Sequence, residues 1–231
     1  MFYPVAVKMI PWFAIPATIL FAAGMFVGFF IAPADYQQGE AYRIIFIHVP
    51  AAWMGMLLYV LMAFYAGIGW AFNARLSSMM ASALAITGAM FTLISLVTGA
   101  FWGKPTWGTW WVWDARMTST LILMFLYIGF ISLQAAIDDP RRADRAGAVL
   151  ALVGVINIPI IYFSVNWWNT LHQGATIRLL QKPTIRGSML AALLIMLAAC
   201  WLYSVAVVLT RLRCIILERE QNAARFAEVG V

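Results

Sequence analysis

The sequence predicts an all-α integral membrane protein with six transmembrane helices and a tryptophan-rich loop between the third and the fourth. Three observations predict it. Of 231 residues, 64% are apolar and 10% are charged, against about 45–50% and about 25% in an ordinary soluble domain. The charges are not scattered; they leave six charge-free windows, at 9–34, 44–74, 76–103, 117–137, 146–177 and 187–210. A hydrocarbon core about 30 Å thick needs roughly 20 apolar residues of helix at about 1.5 Å rise, so every window can hold one span. Five of the eleven tryptophans, moreover, fall within residues 102–113.

Taken in order, the spans are expected at about 11–32, 44–72, 76–101, 117–137, 146–165 and 188–210, and the chain forms a single polytopic membrane domain over 1–231. The first follows Lys8 and ends in the small residues Ala32-Pro33-Ala34. That pattern imitates a secretory signal, but signal cores are about 7 to 15 residues long, so an uncleaved first helix is expected. The turn after the second span is Asn73-Ala74-Arg75, and that after the fourth runs from Asp138 to Arg145. There, Asp139 followed by Pro140 suits an N-cap and first-turn pair. Gly103, Pro105 and Gly108 are expected to break the chain after the third span.

Several function classes drop out. Cys200 and Cys214 make neither a disulfide framework nor a CxxC pair, and no CxxCH attaches a c-type haem. His48 and His172 are the only histidines, which excludes a metal site of three or four. The net charge of +6 lies between spans, so no nucleic-acid face is indicated.

Alternating sides along six spans divides the cations. One side holds Lys8, Arg75, Arg141, Arg142, Arg145, Arg211, Arg213, Arg219 and Arg225; the other holds Arg43, Lys104, Arg116, Arg178, Lys182 and Arg186. By the positive-inside rule the larger group is cytoplasmic, with both termini. In a bacterium the longer connections, 33–43, 102–116 and about 166–187, are then periplasmic. Cations on that face need a reason, which an anionic ligand or partner supplies and snorkelling to headgroups also supplies.

Trp102, Trp107, Trp110, Trp111 and Trp113 lie in the second of these connections, and Trp167 and Trp168 open the third. An aromatic belt would spread over both faces; these gather on one. Were Trp107 to Asp114 helical, Trp107, Trp110, Trp111 and Asp114 would share one side, forming an apolar platform for a planar ligand. Asp114 would orient a neighbouring arginine or ring nitrogen, or cap the fourth helix at Ala115.

The string Trp107-Gly108-Thr109-Trp110-Trp111-Val112-Trp113-Asp114, running on through Ala115 to Arg116, resembles the "WWD" signature of the haem-handling superfamily. Arg43-Ile44-Ile45-Phe46-Ile47-His48-Val49-Pro50 and Phe163-Ser164-Val165-Asn166-Trp167-Trp168-Asn169-Thr170-Leu171-His172-Gln173 reinforce it. Six spans with one histidine in each outer flank are similar to the CcmC family of bacterial cytochrome c maturation, over about residues 11–210. The resemblance implies haem b held at the periplasmic membrane face with His48 and His172 as axial ligands, imidazole being a usual ligand of haem iron. Trp102, Trp107, Trp110, Trp111, Trp113, Asp114, Trp167 and Trp168 would form its platform. Arg43, Arg116, Arg178 and Arg186 are candidates for its propionates, with Lys104 and Lys182 weaker because lysine lacks the bidentate fork. It implies delivery to the periplasmic chaperone CcmE, an assembly with the ATP-binding-cassette subunits CcmA and CcmB and the small membrane protein CcmD, and residence in the bacterial inner membrane. Nothing in the chain resembles a nucleotide site, so ATP would be hydrolysed elsewhere, and presentation of haem is favoured over catalysis. The rival readings are a b-type cytochrome-like membrane oxidoreductase that retains haem, and a small-solute permease subunit.

Overall fold

The computed structural model describes residues 2–172, 185 and 187–229, with side chains from residue 7 to 221 within them. The chain forms α1 (Phe2–Phe26), α2 (Ile45–Phe72), α3 (Arg75–Trp107), α4 (Ala115–Ala136), α5 (Pro140–Gly154), α6 (Asn157–Trp167) and α7 (Gly187–Val229). Six stretches are long and apolar enough to cross a membrane: Val7–Ile31, Glu40–Phe72, Arg75–Trp107, Ala115–Ala136, Pro140–Trp167 and Gly187–Gln221. No strand occurs among the described residues. The architecture is therefore all-helical with six spans, the fifth made of α5 and α6 joined through a turn at Val155 and Ile156.

The seam between α2 and α3 organises the bundle. On α2, Ala51, Gly55, Leu58, Met62, Ala66 and Gly69 are buried; on α3, Ser78, Ala81, Ala85, Gly88, Thr92 and Ser95 are buried. Both sets recur at spacings of three and four, the interval that keeps residues on one helix face. In lipid there is no hydrophobic force to hold two apolar helices together, so close packing of small residues does it. At Gly55 an added Cβ would stand 2.7 Å from Thr92 Oγ1, which shows how near the backbones approach. Tyr127 of α4 locks onto this seam by donating its hydroxyl to the Gly55 carbonyl at 2.8 Å. Asn157 Nδ2 donates to the Ser119 carbonyl at 2.8 Å and ties α6 to α4.

The turns follow ordinary chemistry. Asn73 ends α2 in the left-handed region at φ 50°, a conformation asparagine tolerates better than most residues. Asp139 caps α5, accepting from Arg142 N–H at 2.7 Å, with Pro140 in the first turn. At the other end of the bundle, α1 finishes in a π-helical turn, Val27–Ile31. A 3-10 turn, Glu40–Ile44, leads into α2.

Two expectations are corrected here. The chain does not break at Gly103 and Pro105, because α3 runs on to Trp107 and ends at Gly108, in the left-handed region at φ 79°. Residues 108–114 are not helical, so Trp107, Trp110, Trp111 and Asp114 do not share a helix face. A glycine in this conformation terminates a helix at no steric cost, and the Gly108 N–H satisfies the Lys104 carbonyl at 3.1 Å.

Candidate functional site

At the tryptophan-rich end the α2–α3 seam opens into a cleft of about 1350 Å³, counting its mouth. Thr92, Ser95, Gly99, Trp102 and Thr106 continue the α3 stripe along its wall, and His48, one turn before Ala51, continues the α2 stripe. His172, Arg116, Trp107 and Gln38 complete the polar and aromatic lining. Both histidines, 124 positions apart in the sequence, thus face one space.

His48 belongs to the first turn of α2. Its ring lies against α3 where Gly99 leaves room; an added Cβ there would stand 3.0 Å from Cε1. His48 Nδ1 is 3.1 Å from Thr98 Oγ1. Trp102 meets the same ring edge-to-face, with centroids 5.6 Å apart, and its indole N–H donates to Gln38 Oε1 at 2.7 Å.

His172 repeats the arrangement with different chemistry. Trp107 packs on its ring at 4.8 Å and an interplanar angle of 63°. Its Nδ1 is 3.0 Å from Asp114 Oδ2, and the Thr170 hydroxyl donates to the same oxygen. The other oxygen, Oδ1, accepts from Met117 N–H at 2.8 Å and caps α4. Asp114 therefore both caps the helix and contacts a ring nitrogen, because a carboxylate has two oxygens. Burial alone would raise its titration, but the Met117 N–H, the Thr170 hydroxyl and His172 outweigh it and hold the carboxyl below the usual range. Burial pushes His172 below the usual histidine range, against the pull of Asp114 and together with the repulsion of Arg116. At neutral pH the ring is then an uncharged imidazole beside a carboxylate, the form in which histidine ligates a metal.

The other sequence-named residues separate. Among the cations, Arg116 and neither Arg43 nor Lys104 lines the cleft. Arg43 instead donates to the Gly28 and Ala32 carbonyls at the π-helical end of α1 and pairs with Glu40. The physical reason is local: a helix end leaves carbonyls unpartnered, and the Arg43 guanidinium, carried back to that end, satisfies them. Lys104 Nζ donates to the Gly108 carbonyl at 3.1 Å. Arg178, Lys182 and Arg186 lie outside the described residues. Of the expected platform, Trp102 and Trp107 line the cleft. Trp110 packs on Phe101, Trp111 on Trp113, and Trp167 stacks on Phe163 beside Trp168. Residues 108–114 are irregular rather than helical, with a bend at Trp110, and Trp110 and Trp113 are exposed, so the indoles do not form one floor.

Sequence reasoning passed over Thr98, Gly99, Gln38 and Thr170. Gly99 carried a legible signal, since it lies where the small-residue stripe of α3 reaches the level of His48. Among the described residues no group of three or more histidine, cysteine, aspartate or glutamate side chains could hold a metal ion.

The family profile described as "Heme exporter protein C", CcmC, matches residues 1–227. The chain belongs to this family. Heme exporter protein C of Escherichia coli (strain K12) is 48% identical over 227 residues, 98% of this chain and 91% of its own length. The Bradyrhizobium diazoefficiens protein of that name is 45% identical over 229 residues, 99% of this chain and 87% of its own. A putative cytochrome c biosynthesis ccmC-like mitochondrial protein of Marchantia polymorpha is 49% identical over 158 residues, 68% of this chain and 67% of its own. All three alignments place this CcmC-family chain beside proteins that differ widely in source.

Proposed function

We propose that this chain takes haem b into the cleft between His48 and His172 and passes it to a periplasmic acceptor during maturation of c-type cytochromes. The observation that carries the reading is that the only two histidines of the chain reach one cleft from distant parts of the sequence, each with a tryptophan on its ring and a hydrogen-bond partner on Nδ1. An imidazole whose Nδ1 is engaged presents Nε2 outward, the arrangement of metal-bound histidines. The names of the relatives, heme exporter and cytochrome c biosynthesis proteins, support haem as the cargo.

The lining suits an amphiphilic disc. Indole faces and aliphatic side chains cover a porphyrin, while Arg116 offers a bidentate partner for a propionate; Arg178 and Arg186 remain candidates, and Arg43 is the weaker one because carbonyls and Glu40 occupy it. Trp110, Trp113, Trp167 and Trp168, exposed and outside the cleft lining, are available to a docking acceptor, with Trp111 packed on Trp113. We take that acceptor to be the haem chaperone CcmE, and CcmA, CcmB and CcmD to be the other members of the assembly in the bacterial inner membrane.

The test is to purify the protein with haem and compare His48→Ala and His172→Ala. Each is expected to lose most bound haem and the low-spin spectrum of a doubly histidine-ligated iron; unchanged content and spectrum in both would refute ligation. Transfer to apo-chaperone separates this reading from that of a retained redox haem, which should not leave.

A further inference from the structure

The two imidazoles differ in the partner each meets on Nδ1, and that difference assigns them unequal tasks. The Thr98 hydroxyl has one hydrogen, and it is directed to the Ile94 carbonyl at 2.6 Å. Toward His48 it can therefore only accept, so His48 carries its proton on Nδ1 and donates it to a neutral oxygen. Asp114, held as a carboxylate by three donors, likewise only accepts. His172 also carries its proton on Nδ1, but donates it to a full negative charge. On both rings Nε2 is then the unprotonated nitrogen; one ring is backed by neutral oxygens, the other by an anion.

A hydrogen bond to an ionised acceptor is roughly twice as strong as one between neutral groups, and it raises the donor strength of the far nitrogen. His172 is also the better anchored, since the Thr170 hydroxyl accepts from its backbone N–H at 3.1 Å while binding Asp114.

We propose that Asp114 and Thr170 are positioning residues that make His172 the retained haem ligand, and that His48, backed only by neutral oxygens, is the ligand released on hand-over. The proposal rests on the binding reading above. Release is a ligand exchange without electron transfer: the bond from iron to His48 Nε2 breaks, the electron pair stays on nitrogen, and a donor of the acceptor protein takes the vacated position.

The experiment uses the full chain loaded with haem, comparing Asp114→Asn, Thr170→Val and Thr98→Val. Asparagine is as good an N-cap as aspartate, so Asp114→Asn removes the charge and keeps the cap of α4. Loss of an outer-shell partner typically costs about 10–100-fold in metal affinity. Haem loss to an excess of apo-globin scavenger is expected to speed up by that factor in Asp114→Asn, by less in Thr170→Val, and by less than about threefold in Thr98→Val. The ferrous protein under carbon monoxide, which replaces one axial ligand, gives a second readout. After photolysis the iron–histidine stretch should shift in Asp114→Asn and stay unchanged in Thr98→Val. A shift in Thr98→Val without one in Asp114→Asn, or equal effects of both, would overturn the assignment of roles. Absence of doubly histidine-ligated haem in the unsubstituted protein would instead overturn the binding reading itself.

Discussion

Gly99 sets how closely the His48 ring lies against α3. With Cε1 3.0 Å from where a Cβ would sit, alanine there must push the imidazole outward by a few tenths of an ångström. In the middle of a helix, glycine is itself about 1 kcal/mol less favourable than alanine. The two effects have opposite signs on different observables. Gly99→Ala is expected to leave the thermal unfolding temperature unchanged or raised while weakening haem retention about tenfold, the lower end of what a disturbed ligand environment costs. Calorimetry or a thermal melt in detergent, run beside a haem titration, checks both; a lowered melting temperature with unaltered haem binding would show that Gly99 serves packing alone. At this scale, His48, His172 and Asp114 could be picked out from the sequence because each is a rare group in an apolar chain. Thr98 could not be paired with His48, since a threonine on α3 acquires its partner across the seam from the register of α2 against α3. The local partners of Arg43 were hidden for the same reason: its acceptors, the carbonyls of Gly28 and Ala32, come from a π-helical end that no side-chain pattern announces.

The element that most shapes the site is the joint between α3 and α4. The α3 helix carries Trp102 and Trp107 to the cleft and then stops at Gly108, after which residues 109–114 cross as irregular chain to the Asp114 cap. The spans themselves were readable because a bilayer leaves no room for scattered charge. This joint was not, because the spacing of Trp107, Trp110 and Trp111 fits a helix as well as a crossing strand, and only the left-handed Gly108 decides between them. A residue with a Cβ costs about 1–2 kcal/mol in that conformation. Gly108→Ala is therefore expected to destabilise the protein by about 1–2 kcal/mol and to lower haem occupancy, since the shift carries Asp114 away from His172. Unfolding in detergent with haem content measured on the same samples checks it, and a variant as stable as the unsubstituted protein would mean that α3 can run on past residue 108.

For the molecule as a whole, the cleft is useful to a periplasmic acceptor only if the tryptophan-rich end lies on that side. The charge count argues that it does: alternating sides along the sequence assigns nine cations to the opposite side and six to this one, and cytoplasmic connections carry the excess of lysine and arginine. The chain supplies its own reporter. Cys214 is exposed and lies beyond the last apolar window, on the part of α7 that carries Arg211 and Arg219, whereas Cys200 is half buried within the span. A membrane-impermeant maleimide should modify Cys214 in inverted inner-membrane vesicles and leave it untouched in spheroplasts. With Cys214 replaced by serine, a cysteine introduced by Trp113→Cys should behave in the reverse way, because Trp113 is 75% exposed at the cleft end and its loss opens no core cavity. Using both positions matters, since poor reactivity at one alone would be indistinguishable from burial in lipid. Labelling of the introduced cysteine in inverted vesicles and of Cys214 in spheroplasts would turn the bundle over. The cleft would then open toward the cytoplasm, and the acceptor would have to be sought there.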